Sequence, residues 1–352
     1  MSGGVDSSVA AALMLAAGAD VVGITMRLRA PVSPETGALS PAEQDARRVA
    51  QCLGIEHHII DLSGDFEGEV ISPFVRDYAA GLTPSPCARC NPRIKFGRLL
   101  HAAASLRACR LATGHYARIE LPGSRALLRR AADPARDQSY FLFGLSQRQL
   151  AAALFPLGNY TKTQVRSIAR ELGLPVAGKS DSQEICFIPN NDYVSFVETH
   201  PAFTAERAGS AGHASADAPE CGEIVTTGGR ILGRHPGVHR FTVGQRRGLN
   251  VAIGEPLYVI ATDAALRRVI VGRNDELLRK SFRFRDANWI AFERPPAEFR
   301  AAVKIRNKHS AAPAVVRGNE VTFDEPQRAV TPGQAAVFYD GDLVLGGGWI
   351  ER

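Results

Sequence analysis

Ser2-Gly3-Gly4-Val5-Asp6-Ser7-Ser8 is the stretch on which the reading of this chain turns. Two adjacent glycines let the backbone turn tightly and present its N–H groups, the hydroxyls of Ser2, Ser7 and Ser8 add donors, and a helix N-terminus after the loop favours an anion. A pyrophosphate fits such a turn. No Gly-Lys-Ser/Thr follows, so the loop is not of Walker A type, and the acid in the turn, Asp6, suits a magnesium ion riding on the phosphates. The plainer alternative is a turn without a ligand. A loop of this kind ordinarily leaves an apolar strand at the middle of a parallel sheet, and only Met1 precedes it, so the first strand of the fold is expected to be missing.

Working outward, residues 1–200 alternate strand and helix signals. Residues 21–28 (VVGITMRL), 57–62 (HHIIDL) and 110–117 (RLATGHYA) read as strands, the last ending in a glycine turn. Ser40-Pro41-Ala42-Glu43 has capping-box spacing with proline at the first helical position; Ala46, Val49, Ala50 and Leu53 form one apolar face, and Gly54 supplies the stop. Thr161 and Gln164 repeat that grammar, with Val165, Ile168, Ala169 and Leu172 as the stripe and Gly173 and Pro175 as the end. The expected fold class is α/β, a doubly wound parallel sheet, with the serine-glycine loop and the Thr113–Tyr116 turn meeting at the carboxyl ends of the strands.

Residues 205–220 (AERAGSAGHASADAPE) are small and polar without an apolar face, which predicts a linker spanning about 201–220. Short β-rich runs follow at 223–227, 257–261, 268–271, 301–305, 320–323 and 335–339, with frequent Gly and Pro punctuation. They predict two small β-barrels, 221–265 and 266–352, with the boundary in 262–274.

The chain has 352 residues, 45% of them hydrophobic, enough for a sizeable core divided among two or three domains. No run approaches the roughly 18 apolar residues of a membrane span and no secretory leader pattern opens the chain, so a cytoplasmic location is expected. A formal charge of +6 and a pI of about 9.1 are compatible with a polyanionic partner without demanding one.

Six cysteines in a chain of this length do not make a disulfide framework. Cys87-Ala88-Arg89-Cys90-Asn91 follows a proline-rich turn and precedes a helix predicted to start near Pro92, so Arg89, Arg93 and a helix N-terminus would stabilise a thiolate. Cys186 closes a polar stretch. Cys52 and Cys109 read as buried small hydrophobes, and Cys221 has no evident role. Three readings stay open for Cys87, Cys90 and Cys186: ordinary packing, a structural zinc site, which lacks a second ligand pair, and thiol chemistry between distant cysteines, with an iron–sulfur cluster on all three as a variant.

The motifs MSGGVDSS, TPSPCARCNPRIKF, LATGHYAR, DQSYFLFGLSQ, KSDSQEICFI, FTVGQRRGL, VTPGQAAVFY and LGGGWI occur in that order over nearly the whole chain. Together they resemble the tRNA-specific 2-thiouridylase family (MnmA/TrmU type) of the ATP pyrophosphatase, or PP-loop, superfamily. The resemblance implies a catalytic domain like the adenine nucleotide alpha hydrolases, followed by two β-barrels. It implies a sulfurtransferase that uses ATP and magnesium to adenylate the C2 oxygen of wobble uridine 34, then delivers sulfur to form 2-thiouridine. It makes Cys186 the persulfide carrier and Cys90 the nucleophile, with a transient Cys90–Cys186 disulfide. Met26 and Gly114 join residues Ser2 to Ser8 as nucleotide contacts, and Ser85, Pro86 and Cys87 wall the target base. His115, Arg136, Asp137, Gln138, Arg306, Asn307 and Gln334 match tRNA-contacting stretches. Implied partners are tRNAs with Lys, Glu and Gln anticodons and a cysteine desulfurase or sulfur-relay protein. The position three before Cys90, an acid in some relatives, is Cys87 here, which leaves the general base unassigned. Lys304, Arg306 and Lys308 at period two are expected to share one strand face, with Arg240, Arg246 and Arg247 adding to a basic inventory. Two other classes use comparable features: PP-loop ligases and amidotransferases acting on a small molecule, and a non-catalytic RNA-binding protein with a degenerate loop.

Overall fold

The computed structural model describes residues 1–29, 38–180, 185–210, 221–251 and 254–352. Helices Pro41–Leu53 and Lys162–Glu171 form where the caps predict them. Ser40 and Thr161 accept from the backbone N–H of Glu43 and Gln164, whose side chains reach back, and Gly54 (φ 67°) and Gly173 (φ 61°) turn left-handed after the helices. Both pack their stripes against the loop helix Val5–Ala16 in one cluster that includes Val5, Val9, Val49, Val165 and Ala169.

Among the described residues the parallel strands of this first unit form two separate two-stranded sheets. Gly23–Arg27 runs alongside His57–Asp61, with Gly23 opposite His57 and Arg27 opposite Asp61. Leu111–Ala112 runs alongside Ala153–Leu154. The strand expected over 110–117 is therefore broken. Its chain leaves the sheet at Thr113, passes the glycine loop, and resumes as Ala117–Glu120, paired antiparallel with Leu127–Arg130. Gly114 makes that passage feasible, since a Cβ there would stand 2.7 Å from the Asp6 carbonyl carbon and the Ser7 nitrogen.

Helix Pro201–Ser210 occupies the first part of the predicted linker, and residues 211–220 lie outside the described residues. Beyond them, a four-stranded sheet has the order Ile231–His235, Gly222–Thr226, Arg268–Gly272, Tyr258–Asp263. Arg268–Gly272, within the span expected to hold the domain boundary, pairs with both Gly222–Thr226 and Tyr258–Asp263.

The last unit is a closed six-stranded barrel in the order Leu278–Trp289, Glu320–Arg328, Ala312–Arg317, Glu298–Lys304, Ala335–Asp340, Leu343–Ile350, which closes where Ile350 pairs with Phe284. Alternation places Val303, Val316, Val321, Phe284, Phe323 and Phe338 inside, and burial of each contributes roughly 1.5–3 kcal/mol. The barrel docks on the first unit through a shared core. Ile290, Ala335, Val337, Tyr339 and Val344 lie in one cluster with Phe96, Leu128, Tyr140 and Phe143. Polar ties run along this seam: the Tyr140 hydroxyl donates to the Ala335 carbonyl (2.9 Å), Asn288 Nδ2 to Phe143 O (2.6 Å), and Arg125 Nε to Ile290 O (2.7 Å). The strand Leu343–Ile350 also accepts the hairpin of the first unit, Leu343 opposite Arg129.

Among the described residues no helix is long and apolar enough to cross a membrane. Cys52 and Cys109 are exposed, against expectation. Cys52 falls outside the 46/49/50/53 stripe of its helix, and Cys109 sits in the turn before the strand rather than in it.

Candidate active site

One cleft of about 1660 Å³ gathers the sites that the sequence scatters. Its walls include Ser2 to Ser7, Met26, Lys95, Gly114, His115, Arg136, Gln138, Lys179 and Cys186. At one end stands the glycine loop. Gly3 (φ 68°) takes the left-handed turn, and a Cβ there would meet the Ala42 carbonyl oxygen at 2.3 Å, so only glycine fits. Gly4 caps the helix Val5–Ala16 from an extended conformation with no side-chain partner, leaving the first-turn N–H groups directed at the cleft. The three serines differ from one another. Ser8 is buried and its hydroxyl donates to Gly4 O (2.8 Å), so it braces the loop rather than facing an anion. Ser7 Oγ accepts from Ser2 N–H (3.0 Å) and contacts Ser2 Oγ (3.0 Å), which closes the loop on itself.

The Asp6 carboxylate is held by three contacts. Lys162 Nζ lies 2.7 and 2.9 Å from its two oxygens, and the Tyr116 hydroxyl donates to Oδ1 (2.8 Å). Lys162 itself is buried at the start of its helix. Sequence reasoning missed it, although a lysine in a first helical turn opposes the helix dipole and so signals an anionic partner. Lys179 Nζ sits on Gly3 O (2.9 Å) and Asp45 Oδ2 (2.7 Å). It too was missed.

Of the three thiols Cys186 lines the cleft, whereas Cys87 and Cys90, like Ser85 and Pro86, are not among its lining residues. Helical backbone begins at Pro86, not near Pro92, and continues through a wide π-helical segment, Asn91–Leu99, to Ser105. The wide turns accommodate Pro92, which cannot donate, and Gln149 Nε2 donates to the carbonyls of Pro92 (2.7 Å) and Phe96 (3.0 Å) from outside. Cys87 is thus in the first turn and exposed, while Cys90 is inside the helix and buried. This corrects the expected thiolate stabilisation. Burial pushes the Cys90 thiol up to about 12, with the neighbouring Cys186 and Cys87 adding to the rise and Lys95 opposing it. Burial among protein atoms also raises the thiols of Cys87 and Cys186. The cation that all three thiols sense is Lys95. Arg89 instead bonds Asp77 (3.3 Å) and lies over the Trp349 ring, and Arg93 is exposed. Among the described residues no group of three or more His, Cys, Asp or Glu side chains is arranged to hold a metal ion.

His115 is buried in the cleft wall between Phe96 and Phe155. Its Nδ1 meets Thr113 Oγ1 (2.8 Å) and its Nε2 meets Lys95 Nζ (3.3 Å). Burial, helped by Lys95, holds it neutral, well below the usual imidazole range. Arg136 is exposed on the cleft rim. Asp137 is turned inward, accepting from Ala131 N–H, Ser139 N–H and Ser139 Oγ. Gln138 binds the Tyr116 backbone.

In the barrel, Gln334 reaches the turn before the thiols: its Nε2 donates to the carbonyls of Thr83 (2.9 Å) and Pro84 (3.3 Å), while Thr83 N–H donates to Pro332 O (3.0 Å). Arg352 bonds Ala80 O, and Thr262 of the central sheet donates to Gly81 O (2.7 Å), so all three units grip the segment that carries Ser85 and Pro86. Arg306 donates to Arg328 O (3.0 Å) and Asn307 is exposed. The predicted Lys304/Arg306/Lys308 strand face is not formed. The strand ends at Lys304, which is half-buried over the Tyr140 ring, and Arg306 and Lys308 lie in the following turn. Arg240 is paired with Glu198 (2.8 and 2.9 Å), whereas Arg246 and Arg247 are exposed.

Residues 1–190 match the tRNA methyl transferase HUP domain, 216–273 the tRNA methyl transferase PRC-barrel domain, and 279–350 the aminomethyltransferase beta-barrel domain. The chain is 54% identical to the tRNA-specific 2-thiouridylase MnmA of Solibacter usitatus, over 100% of its own length and 98% of the relative's. It is 48% identical to the enzymes of that name from Acidobacterium capsulatum and Koribacter versatilis, over 99% of its length and 97% of theirs. The chain belongs to the tRNA-specific 2-thiouridylase family. In this family member the cleft is lined by the loop of the HUP domain and by Cys186, and the barrel holds the turn that leads to Cys87 and Cys90.

Proposed function

We propose that this chain is a tRNA-uridine 2-sulfurtransferase that makes 2-thiouridine at position 34. The observation that carries the reading is a single cleft lined by both the anion-binding loop and Cys186. The C2 carbonyl of uridine is urea-like and unreactive, so its oxygen must first become a leaving group. ATP on residues Ser2 to Ser7, with Ser8 bracing the loop from beneath and Met26 and Gly114 beside the nucleotide, transfers AMP to O2 and releases pyrophosphate. Magnesium, when bound, offsets phosphate charge. Asp6 fits it as the one loop carboxylate on the cleft, in keeping with an ion held mainly by phosphate and water.

A cysteine desulfurase or sulfur-relay protein loads Cys186 with a persulfide. The Cys90 thiolate attacks the Cys186 sulfur, the Cys90–Cys186 disulfide forms, and hydrosulfide leaves. Hydrosulfide adds at C2, and AMP departs with the former O2. A dithiol reductant then restores both thiols. Position 34 reaches the cleft by flipping from the anticodon loop, against Ser85, Pro86 and Cys87. His115, Arg136, Asp137 and Gln138 border that entry, and Arg306, Asn307 and Gln334 extend the tRNA contact onto the barrel. Substrates are tRNAs with Lys, Glu or Gln anticodons. Incubation with ATP, unmodified tRNA and a persulfide source, followed by mass spectrometry of the nucleosides, tests the reading; adenylation of a small molecule with no 2-thiouridine would replace it with the ligase alternative.

A further inference from the structure

Two lysines reach the glycine loop, and they differ in what each would leave behind on moving. The Lys162 side chain is only 9% exposed and is closed on both oxygens of Asp6, so its departure would strand a carboxylate. The Lys179 side chain is 41% exposed and lines the cleft with Gly3, Gly4, Asp6 and Ser7. Its two partners can both spare it. Asp45, whose carboxyl lies below the usual range because Lys179 and Arg48 both donate to it, retains Arg48 when Lys179 leaves. The Gly3 carbonyl borders an open cleft and can take water instead.

A triphosphate brought to this loop adds several negative charges beside Asp6, and N–H groups alone do not balance them. Of the other cations on the cleft wall, Arg27 is paired with Glu43 (2.8 Å), Lys95 lies against His115, and Arg29, Arg107, Arg110 and Arg136 also line the space, but Lys179 already bonds a backbone carbonyl of the loop itself. A compact ammonium on a flexible stem, already at the Gly3 carbonyl, is suited to follow phosphate oxygens as they arrive.

We propose that Lys179 is a phosphate ligand of the nucleotide, its ammonium turning from Asp45 and Gly3 O onto the pyrophosphate portion of ATP while Lys162 stays on Asp6 as a positioning residue. The proposal rests on the reading of the loop as an ATP site. It also places a phosphate contact and the persulfide cysteine on one stretch of chain, Lys179 opening the segment that Cys186 closes.

The test is calorimetric binding of ATP, inorganic pyrophosphate and AMP to the full chain in magnesium buffer, for wild type, Lys179→Gln and Lys179→Arg, with thermal unfolding recorded for each. Lys179→Gln should weaken ATP and pyrophosphate ~10-fold or more, the scale of a lost charge-assisted hydrogen bond, and leave AMP within about twofold. Lys179→Arg should recover part of the loss. Equal weakening of all three ligands, or unchanged pyrophosphate affinity, overturns the assignment. A wild-type chain that binds neither ATP nor pyrophosphate overturns the nucleotide reading and Lys179 with it. A chain that binds both but forms no 2-thiouridine overturns thiolation alone and leaves the Lys179 result standing.

Discussion

The glycine loop and the thiol segment are held by different parts of the molecule. The loop is held within the first unit, by near neighbours in sequence, Ser2 to Ser7 and Ser8 to Gly4, and by distant ones, Lys162 and Tyr116 on Asp6 and Lys179 on Gly3 O. The thiol end is held from far away, by Gln334, Pro332, Arg352 and Thr262 on the turn before Cys87 and by Gln149 on the helix carbonyls after Cys90. The partners of the loop all lie in the first unit, so the loop can bind a nucleotide with the barrel loosened. Cys90 and Cys186 both belong to the first unit, but the turn that leads to Cys87 and Cys90 is tied to the central sheet and to the barrel.

The sharpest way to break this contrast is at Cys186. Serine there, or at Cys90, should lower 2-thiouridine formation by at least ~10³-fold while nucleotide and tRNA binding stay within about twofold, because a lost nucleophile removes a step and not a site. Nucleoside analysis beside filter binding reads both, and normal thiolation by Cys186→Ser would end the persulfide assignment. At the loop end the next largest effect is expected from Gly114→Ala. A methyl group 2.7 Å from the backbone at Asp6 and Ser7 must push the loop, costing about 1–3 kcal/mol of stability and ~10-fold or more in ATP affinity. Unchanged ATP binding would show that the Thr113–Tyr116 turn does not shape the site.

Gln334→Ala sharpens the comparison from the barrel side. It should reduce thiolation roughly 3–10-fold, the scale of about 1 kcal/mol for a lost hydrogen bond, without altering ATP affinity. If ATP binding falls in parallel, the two ends are not independent. The smallest effect concerns pH. With Cys90 pushed from 9.0 up to about 12 by burial, the folded chain keeps that proton where the unfolded chain loses it. Its contribution to stability is therefore complete below pH 9 and is lost as pH rises towards 12, with no effect at neutrality. Alkylation of Cys90 by iodoacetamide should climb steadily with pH, lagging the exposed Cys186 throughout. A plateau near pH 8 would show an activated thiolate in the resting protein.

The legible and illegible parts divide along the same line. Capping boxes at Ser40 and Thr161 and the left-handed Gly54 and Gly173 are local events, and they stand where their spacing predicts. Period-two reasoning failed at Lys304, Arg306 and Lys308, because a strand's end depends on its neighbour: pairing with Ala335–Asp340 takes in Lys304 and goes no further. The choice of Arg89 and Arg93 as thiol partners failed for a related reason. Sequence proximity says nothing about which way a helical side chain points, and those two turn to Asp77 and to solvent while Lys95 turns inward.

The sequence by itself determined the loop, the helices that flank it, the succession of an α/β unit and β-rich units, and the family to which the motifs belong. Each depends on chain-local geometry: glycine's access to positive φ, the reach of a capping side chain, or the order of motifs. Only the tertiary structure decided that Asp6 is paired with Lys162, that Lys179 stands at the loop, that Ser8 and Asp137 face inward, and that Cys90 is buried. Those outcomes depend on which distant groups become neighbours and how much water remains between them, and burial sets the charge state of a thiol or imidazole more strongly than the residues beside it in the chain.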